Sequence, residues 1–417
     1  MCKIAIIGAG VSGLSAANCL KDNYKVTIFE KDDKPGGLIK CRKVNGSLFH
    51  TCGGHVFNSK RQDVLDWFQS RFLFEKEFIK TDRNSVVFMN NGKKIPYPIE
   101  NHMYLFDVNT QRSFIADLVN MVKRGKQKPT NFEEFLKGRF GETLFNIYFQ
   151  PYNEKIWQRD LRQVPLAWLE GKLPMPTVEE MIFNNINHIE EKIFVHSSFW
   201  YEKKNGSQYI ADKLADGLDI RYNTDIKQLI FANGKWVILG EFFDKVVFCG
   251  NIKDMMGMIE GVDISSFIQN VYNLEYHGTT SVFCEIDNNP YSWIYLPSRN
   301  FKSHRIICTG NFSQENNSSH IPDGRITATI EFTDEISKEE ILENLKRMPL
   351  NPLFMDFQYN RYTYPIQDSD TRNMIKQLKE LLSKYDFYFT GRFADWEYYN
   401  MDVAMGAAID LCNSIKG

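Results

Sequence analysis

The pattern of apolar and polar positions changes character several times along the chain. It opens on Lys3-Ile4-Ala5-Ile6-Ile7, a short apolar run that reads as a buried parallel strand. Gly8-Ala9-Gly10-Val11-Ser12-Gly13 turns this strand into a helix through Leu20, and Lys25-Val26-Thr27-Ile28-Phe29-Glu30 predicts the next strand. That is a complete βαβ opening. Residues 101–191 carry mainly helical periodicity. Within them Thr130 and Glu133 have the spacing of a capping box ahead of Phe135 and Leu136, and Gly138 offers a stop. Strand-like alternation then returns. Asn233-Gly234 sits between two apolar runs as a tight hairpin, and Lys245-Val246-Val247-Phe248-Cys249 predicts a buried strand. Segments 279–286, 305–309 and 325–332 suggest an antiparallel sheet, the last turning Ile326, Ala328, Ile330 and Phe332 to one side. A second capping box, Ser337 with Glu340, starts a helix carrying Ile341, Leu342 and Leu345. Phe387-Tyr388-Phe389 runs into Gly391-Arg392, and a small-residue helix from near Asp402 closes the chain.

With 417 residues the chain is too long for one ordinary core, and two or three interleaved lobes are expected. Lys and Arg number 50 against 52 Asp and Glu, so no charge excess attracts a nucleic-acid backbone or an acidic membrane. Any anion site must be local. The eight cysteines are scattered without a CxxC pair, which argues against a zinc ribbon or a disulfide framework and suits a reducing cytoplasm. No apolar run approaches the ~18 residues of a membrane span, and the first is too short for a signal peptide.

The glycines of the opening turn each have a physical task. Gly8 permits the tight turn, Gly10 lets backbone approach a pyrophosphate, and Gly13 lets the helix lie close on the strand, so free helix N–H groups face an anion. Glu30, at the end of the second strand, is placed to accept hydrogen bonds from a ribose. The continuation favours FAD over NAD. Pro35-Gly36-Gly37-Leu38, after Glu30-Lys31, is a second glycine turn, and Cys52-Gly53-Gly54-His55 is a third place where backbone could approach a flat ring. The expected fold is α/β, a Rossmann-type FAD-binding domain with an inserted helical domain and an antiparallel β-sheet domain.

Besides the glycine turns, the chain carries Ile95-Pro96-Tyr97-Pro98, then Pro151-Tyr152-Asn153-Glu154-Lys155-Ile156-Trp157, then Tyr295 with Arg305, and last the run from Gly391 to Asp402. In this order, over nearly the whole chain, these motifs resemble the UDP-galactopyranose mutases. The Gly53-Gly54-His55 and Tyr97 segments are more like the eukaryotic branch, Tyr399-Asn400-Met401-Asp402 more like the bacterial one.

The resemblance implies a reduced FAD whose N5 attacks the anomeric carbon of a nucleotide-activated hexose, interconverting pyranose and furanose forms without net redox change. It implies FAD contacts from Gly8, Gly10, Val11, Ser12, Gly13, Glu30, Lys31, Gly37, Leu38, Gly53, Gly54, His55, Gly391, Arg392, Asn400, Met401 and Asp402. Arg305 is then a diphosphate clamp, with Tyr295, Tyr359 and Tyr398 donating to phosphate oxygens, and Tyr97, Tyr152, Asn153 and Trp157 serving the substrate. Catalytic roles fall to Arg305, Lys172 and His55. The implied partners are a nucleotide sugar and a reductant such as NAD(P)H or a reductase, with no metal, nucleic acid or membrane, and a homo-oligomer is left open. The implied division is FAD-binding in 1–84, 196–275 and 366–417, a sheet-domain hairpin in 85–100, a helical domain in 101–195 and a sheet substrate domain in 276–365.

Three departures bear on the substrate rather than on the reaction. Lys172 stands where the mutases place a second diphosphate-binding arginine, and a lysine lacks the planar two-pronged contact. Ile99 and Glu100 stand near the uracil-recognising positions of the eukaryotic branch, and a carboxylate only accepts hydrogen bonds. Asn400 stands where bacterial members carry an aspartate. The rival enzyme class on the same fold is an oxidase or desaturase of the amine-oxidase and protoporphyrinogen-oxidase type.

Overall fold

The computed structural model describes residues 1–125, 128–166, 176–189 and 198–416. Its first layer is a five-stranded, all-parallel sheet in the order Phe387–Phe389, Lys245–Phe248, Lys3–Ile7, Lys25–Phe29, Ile220–Arg221. The strands are nearly continuous apolar runs because both faces are covered, as parallel sheets require. Helices Val11–Leu20 and Met401–Lys416 pack together through Leu14, Ala17, Met405, Ala408 and Cys412. The other face buries Ala5, Phe248, Phe387 and Phe389 with Leu378 and Leu382 of helix Thr371–Ser383.

A seven-stranded sheet forms the second layer, ordered Leu353–Pro365, Tyr276–Asp287, Arg325–Thr333, Arg305–Ile307, Trp293–Tyr295, Ser85–Phe88, Lys94–Pro96. Every pairing is antiparallel except that of Trp293–Tyr295 with Ser85–Phe88. Alternation gives this sheet two different faces. Ile326, Ala328, Ile330 and Phe332 pack with Val282, Ile294 and Ile306 under helix Lys338–Leu345, on the side the sequence assigns them. Thr327, Thr329 and Glu331 point the other way and are equally buried, against the rest of the molecule.

Between residues 101 and 189 the described chain is mainly helical, including Val108–Arg124, Phe132–Leu144, a π-helical turn Phe145–Phe149, Gln150–Trp157 and Val178–Asn187. Their apolar sides join Val87, Ile95, Tyr295 and Ile307 of the large sheet in one core.

Local chemistry explains most boundaries. Asn233 and Gly234 both have positive φ, 54° and 75°, as a type I′ hairpin turn requires, and they join Leu229–Ala232 to Lys235–Ile238. Ser337 accepts from the Glu340 N–H as expected. At the other expected box the cap is one residue later. Asn131 accepts from the Glu134 N–H, Thr130 binds the Glu134 carboxylate, and the helix runs through Gly138 to a kink at Gly141 (φ 82°), beyond which it resumes to Leu144. Gly138 has open space around its Cβ position and a helical backbone, so neither packing nor φ ends the helix there.

Candidate functional site

The glycine loop after the first strand has the shape a pyrophosphate cradle needs. A Cβ on Gly13 would stand 2.0 Å from the Gly8 carbonyl oxygen, so only glycine lets the helix sit this close to the strand. Gly10 faces Gly36 across an isolated parallel bridge, and Gly36 N–H donates to the Ala9 carbonyl at 2.9 Å, bringing the second glycine turn against the first. Gly8 and Gly36 have φ of 101° and 124°. The Glu30 carboxylate holds this corner together, accepting from Ala9 N–H at 2.6 Å and Asp32 N–H at 3.0 Å. Gly391 packs on Ser12, while Met401 and Asp402 begin the last helix beside the first. Burial raises the Asp402 carboxyl above its ordinary range.

The third glycine turn faces the large sheet. A Cβ on Gly54 would meet Ile307 at 2.7 Å, and the half-buried His55 ring folds back over Gly53. Burial, followed by the nearby Arg392 charge, lowers the His55 pKa to about 4, so its imidazole is neutral at pH 7. Its buried Nε2 has no hydrogen-bond partner among the described residues. An orphaned nitrogen beside two bare glycines fits an isoalloxazine edge, as the cradle at Gly8–Gly13 fits the pyrophosphate. His50 behind it bonds Tyr201 Oη at 2.8 Å, and burial lowers its pKa to about 3.

Arg305 is set by strand register. It pairs with Tyr295 on one side and with Glu331 on the other, so the three side chains share one face. Arg305 Nε–H donates to Glu331 Oε2, and its Nη2 donates to Tyr364 Oη at 2.8 Å. Burial opposes charge on both members, yet their mutual attraction outweighs it. Glu331 falls to about pKa 2 and Arg305 stays cationic. Nη1 of Arg305 has no partner among the described residues and remains available to an anion. The second carboxylate oxygen of Glu331 accepts from Gly53 N–H at 2.9 Å.

Tyr364 stacks on Tyr398 with centroids 5.4 Å apart, and Arg392 lies 4.7 Å over the Tyr398 ring while donating to the Tyr399 and Thr363 carbonyls. A continuous chain of hydrogen-bonded and ring contacts therefore runs Gly53–Glu331–Arg305–Tyr364–Tyr398–Arg392. Beyond Arg305, Tyr295 packs against Tyr97 at 4.8 Å and Tyr152 at 5.6 Å. Arg83 donates to Tyr295 Oη at 2.5 Å, its guanidinium 4.8 Å from the Trp293 ring centroid.

The sequence-derived candidates thus fall into two groups. Tyr97, Tyr152, Tyr295, Arg305, Tyr398, Arg392 and the glycine turns with His55 come together. Tyr359 lies elsewhere. It pairs with Thr280, one position off the Ser281–Glu331–Arg305 row, which turns it to the opposite face and against Gly278. Trp157 is in the helical core, edge-on to Phe132 at 6.2 Å, and Asn153 spends its amide on the Phe149 carbonyl. Asn400 and Lys31 are exposed. Lys172 lies outside the described residues. Glu331, Tyr364 and Arg83 were not singled out in the sequence; the pairing of Glu331 with Arg305 and the approach of Tyr364 to it emerge only from the sheet register. No helix among the described residues is long and apolar enough to cross a membrane, and no group of three metal-ligating side chains occurs there.

The fold and site define a flavin-binding protein of the Rossmann class, and residues 6–70 match the NAD(P)-binding Rossmann-like domain family. Within that class the chain is similar along its whole length to UDP-galactopyranose mutases. It is similar to the UDP-galactopyranose mutase of Mycoplasma genitalium, 22% identical over 96% of this chain and 92% of that protein. The Mycoplasma pneumoniae enzyme of the same name is 24% identical over 61% of this chain and 63% of its own. In shape the chain matches a crystal structure of reduced UDP-galactopyranose mutase with a TM-score of 0.87, at 21% identity, over all of this chain and 94% of that one. A tobacco mitochondrial protoporphyrinogen oxidase is similar over 23% of the chain and 19% of its own length, at 33% identity.

Proposed function

We propose that this flavoenzyme interconverts the pyranose and furanose forms of a nucleotide-activated hexose, with UDP-galactose the first substrate to try, and that it acts with FAD reduced. The observation that carries this reading is the position of Arg305. It is a half-buried cation with a free Nη1, on a sheet face that also meets the Gly53-Gly54-His55 turn. When bound, reduced FAD supplies the nucleophile for the glycosyl centre.

The chain's own residues do the rest. The glycine loops and the N-terminus of helix Val11–Leu20 take the cofactor pyrophosphate, with Met401 and Asp402 closing that end. Neutral His55 offers Nε2 to the ring edge without adding charge. Arg305 draws off the negative charge that builds on the departing diphosphate. The phenols of Tyr295, Tyr364 and Tyr398 surround it, and burial raises the Tyr364 pKa, keeping that hydroxyl a protonated donor. Tyr97 and Tyr152 keep water from the sugar side, and the Tyr97 hydroxyl is likewise pushed up by burial. The departures at Lys172, Ile99, Glu100 and Asn400 leave the nucleobase and sugar to be identified.

Dithionite-reduced protein incubated with UDP-galactofuranose is expected to yield the pyranose, detected by chromatography. Absence of that product rejects this substrate, and other nucleotides and sugars then test the class. The oxidase reading rests on the similarity to protoporphyrinogen oxidase in part of the chain. Oxygen uptake with an amine or porphyrinogen, and no requirement for prior reduction, would favour it.

A further inference from the structure

We propose that Glu331 is the positioning residue that aims Arg305 at the substrate's diphosphate and ties it to the flavin-facing turn at Gly53; this rests on the mutase reading of the site. Three observations carry it. Glu331 is fully buried in the middle of a strand whose other face is apolar, where an unpaired carboxylate would be costly. Both oxygens are committed, Oε1 to Gly53 N–H at 2.9 Å and Oε2 to Arg305 Nε. The groups facing it are Arg305 and His304, whose Nε2 is 3.6 Å from Oε2; burial holds the His304 pKa below its ordinary value, so Arg305 is the charge that favours the anionic form.

The geometry gives this carboxylate a specific task. Taking Nε–H fixes the guanidinium plane, and Tyr364 takes one proton of Nη2, so the Nη1 edge is what faces an incoming anion. Without Glu331 the arginine head could rotate about its last torsions, and its fork would no longer be preorganised. Glu331 also neutralises Arg305 in the resting site, so the cation can stay half-buried before substrate arrives. The same group holds Gly53, so movement of the turn and aim of the guanidinium are one degree of freedom. A residue that only stabilised the sheet would have neither link.

The test is a double-mutant cycle on flavin-loaded protein, with UDP as probe. UDP affinity is measured by calorimetry for the parent, Glu331→Gln, Arg305→Ala and the double variant, with Glu331→Asp as a charge-conserving control. Glu331→Gln is expected to weaken UDP by about 30-fold in the parent and by less than about 3-fold in the Arg305→Ala background, the non-additivity of a pair acting as a unit. Glu331→Asp keeps the charge but is one methylene short of reaching both partners, and should recover about half of that loss on a logarithmic scale. Should Glu331→Gln fail to fold, Glu331→Asp in the two backgrounds serves the same comparison with smaller factors. Equal factors in both backgrounds, or unchanged UDP affinity, overturn the proposal. Coupling on UDP in a protein without mutase turnover would sink the functional reading alone. Turnover without coupling would sink this inference alone.

Discussion

The parallel sheet and the seven-stranded sheet solve the problem of holding an anion in opposite ways. At the parallel sheet the cradle is backbone. Gly8, Gly10 and Gly13 are near one another in sequence, and the contacts that matter are N–H groups, carbonyls and the absence of Cβ atoms. At the large sheet the site is side chain. Arg305, Glu331, Tyr364 and Tyr398 come from distant segments, and strand register, not sequence proximity, places them together. At Gly13 the first design has no room for an added carbon, and at Gly8 the positive φ disfavours one. The second tolerates volume but not loss of a charge or a donor.

The largest expected effect tests the backbone half of that contrast. Gly13→Ala adds one carbon 2.0 Å from the Gly8 carbonyl oxygen, and no side-chain movement relieves a clash with backbone. The helix must lift from the strand, and its N–H groups leave the pyrophosphate position. The purified variant is expected to lack the flavin band near 450 nm. A yellow, stoichiometrically loaded Gly13→Ala protein would show that the cradle is not built on this approach.

Arg305→Ala tests the side-chain half. Flavin content should stay as in the parent, since the residue lies on the other sheet, while turnover with the reduced enzyme should fall by about 100-fold or more, as when one transition-state donor is lost. Loss of flavin together with turnover would mean that the two regions are not separable, and an unchanged rate would remove Arg305 from its role. Truncation also leaves Glu331 buried without its main partner. A drop in thermal stability is therefore expected, and its size measures that carboxylate's dependence on the pair.

The turn between the two regions carries a pH signature. His50 and His55 are held neutral, with folded values of about 3 and about 4. The unfolded chain binds both protons near pH ~6.5. Stability from this source is therefore complete above that value and lost as pH falls toward 4, with a slope approaching about 1.4 kcal/mol per pH unit for each histidine. His55→Gln should reduce the slope of thermal midpoint against pH between 6.5 and 4.5 by up to half if the two contribute equally. An unaltered slope would show that the ring is not sequestered. Glu331 adds to the slope only at the acid end of that window, because a carboxylate depressed to about 2 loses its contribution as pH falls through its unfolded pKa of ~4.3.

The same contrast explains what could be read from the amino acids alone. The flavin cradle was legible because its signal is local. Strand, glycine turn, helix and acidic strand end fall within residues 3–30, and the hairpin at Asn233-Gly234 and the cap at Ser337 are local for the same reason. The helix start at Asn131 rather than Thr130 was a close competition between two adjacent capping residues, both of which bond Glu134. Glu331 was not legible as a site residue. In an alternating strand it takes the place of a solvent-facing position, and only a second layer over that face buries it. Trp157 and Asn153 illustrate the converse, since a motif can hold its residues for the packing of a helix as well as for a ligand.

The smallest expected effect separates two tyrosines that composition treats alike. Tyr359 and Tyr364 lie on the same strand, Leu353–Pro365, on either side of a register shift, and their partners on the neighbouring strand, Thr280 and His277, belong to opposite faces. Tyr364 accepts from Arg305 Nη2 at 2.8 Å and stacks on Tyr398, whereas Tyr359 sits over Gly278 near Asp334. Tyr364→Phe keeps the stack and deletes the hydroxyl, removing one partner of a charged donor, an interaction of roughly 1 kcal/mol or more. Turnover should drop by about 5- to 10-fold, mainly in kcat, with flavin loading unchanged. Tyr359→Phe should stay within about 2-fold of the parent. If Tyr359→Phe proved the more damaging of the two, the register that sets Tyr364 on the Arg305 face would have to be wrong. The account of the large sheet as a site built by strand parity would fall with it.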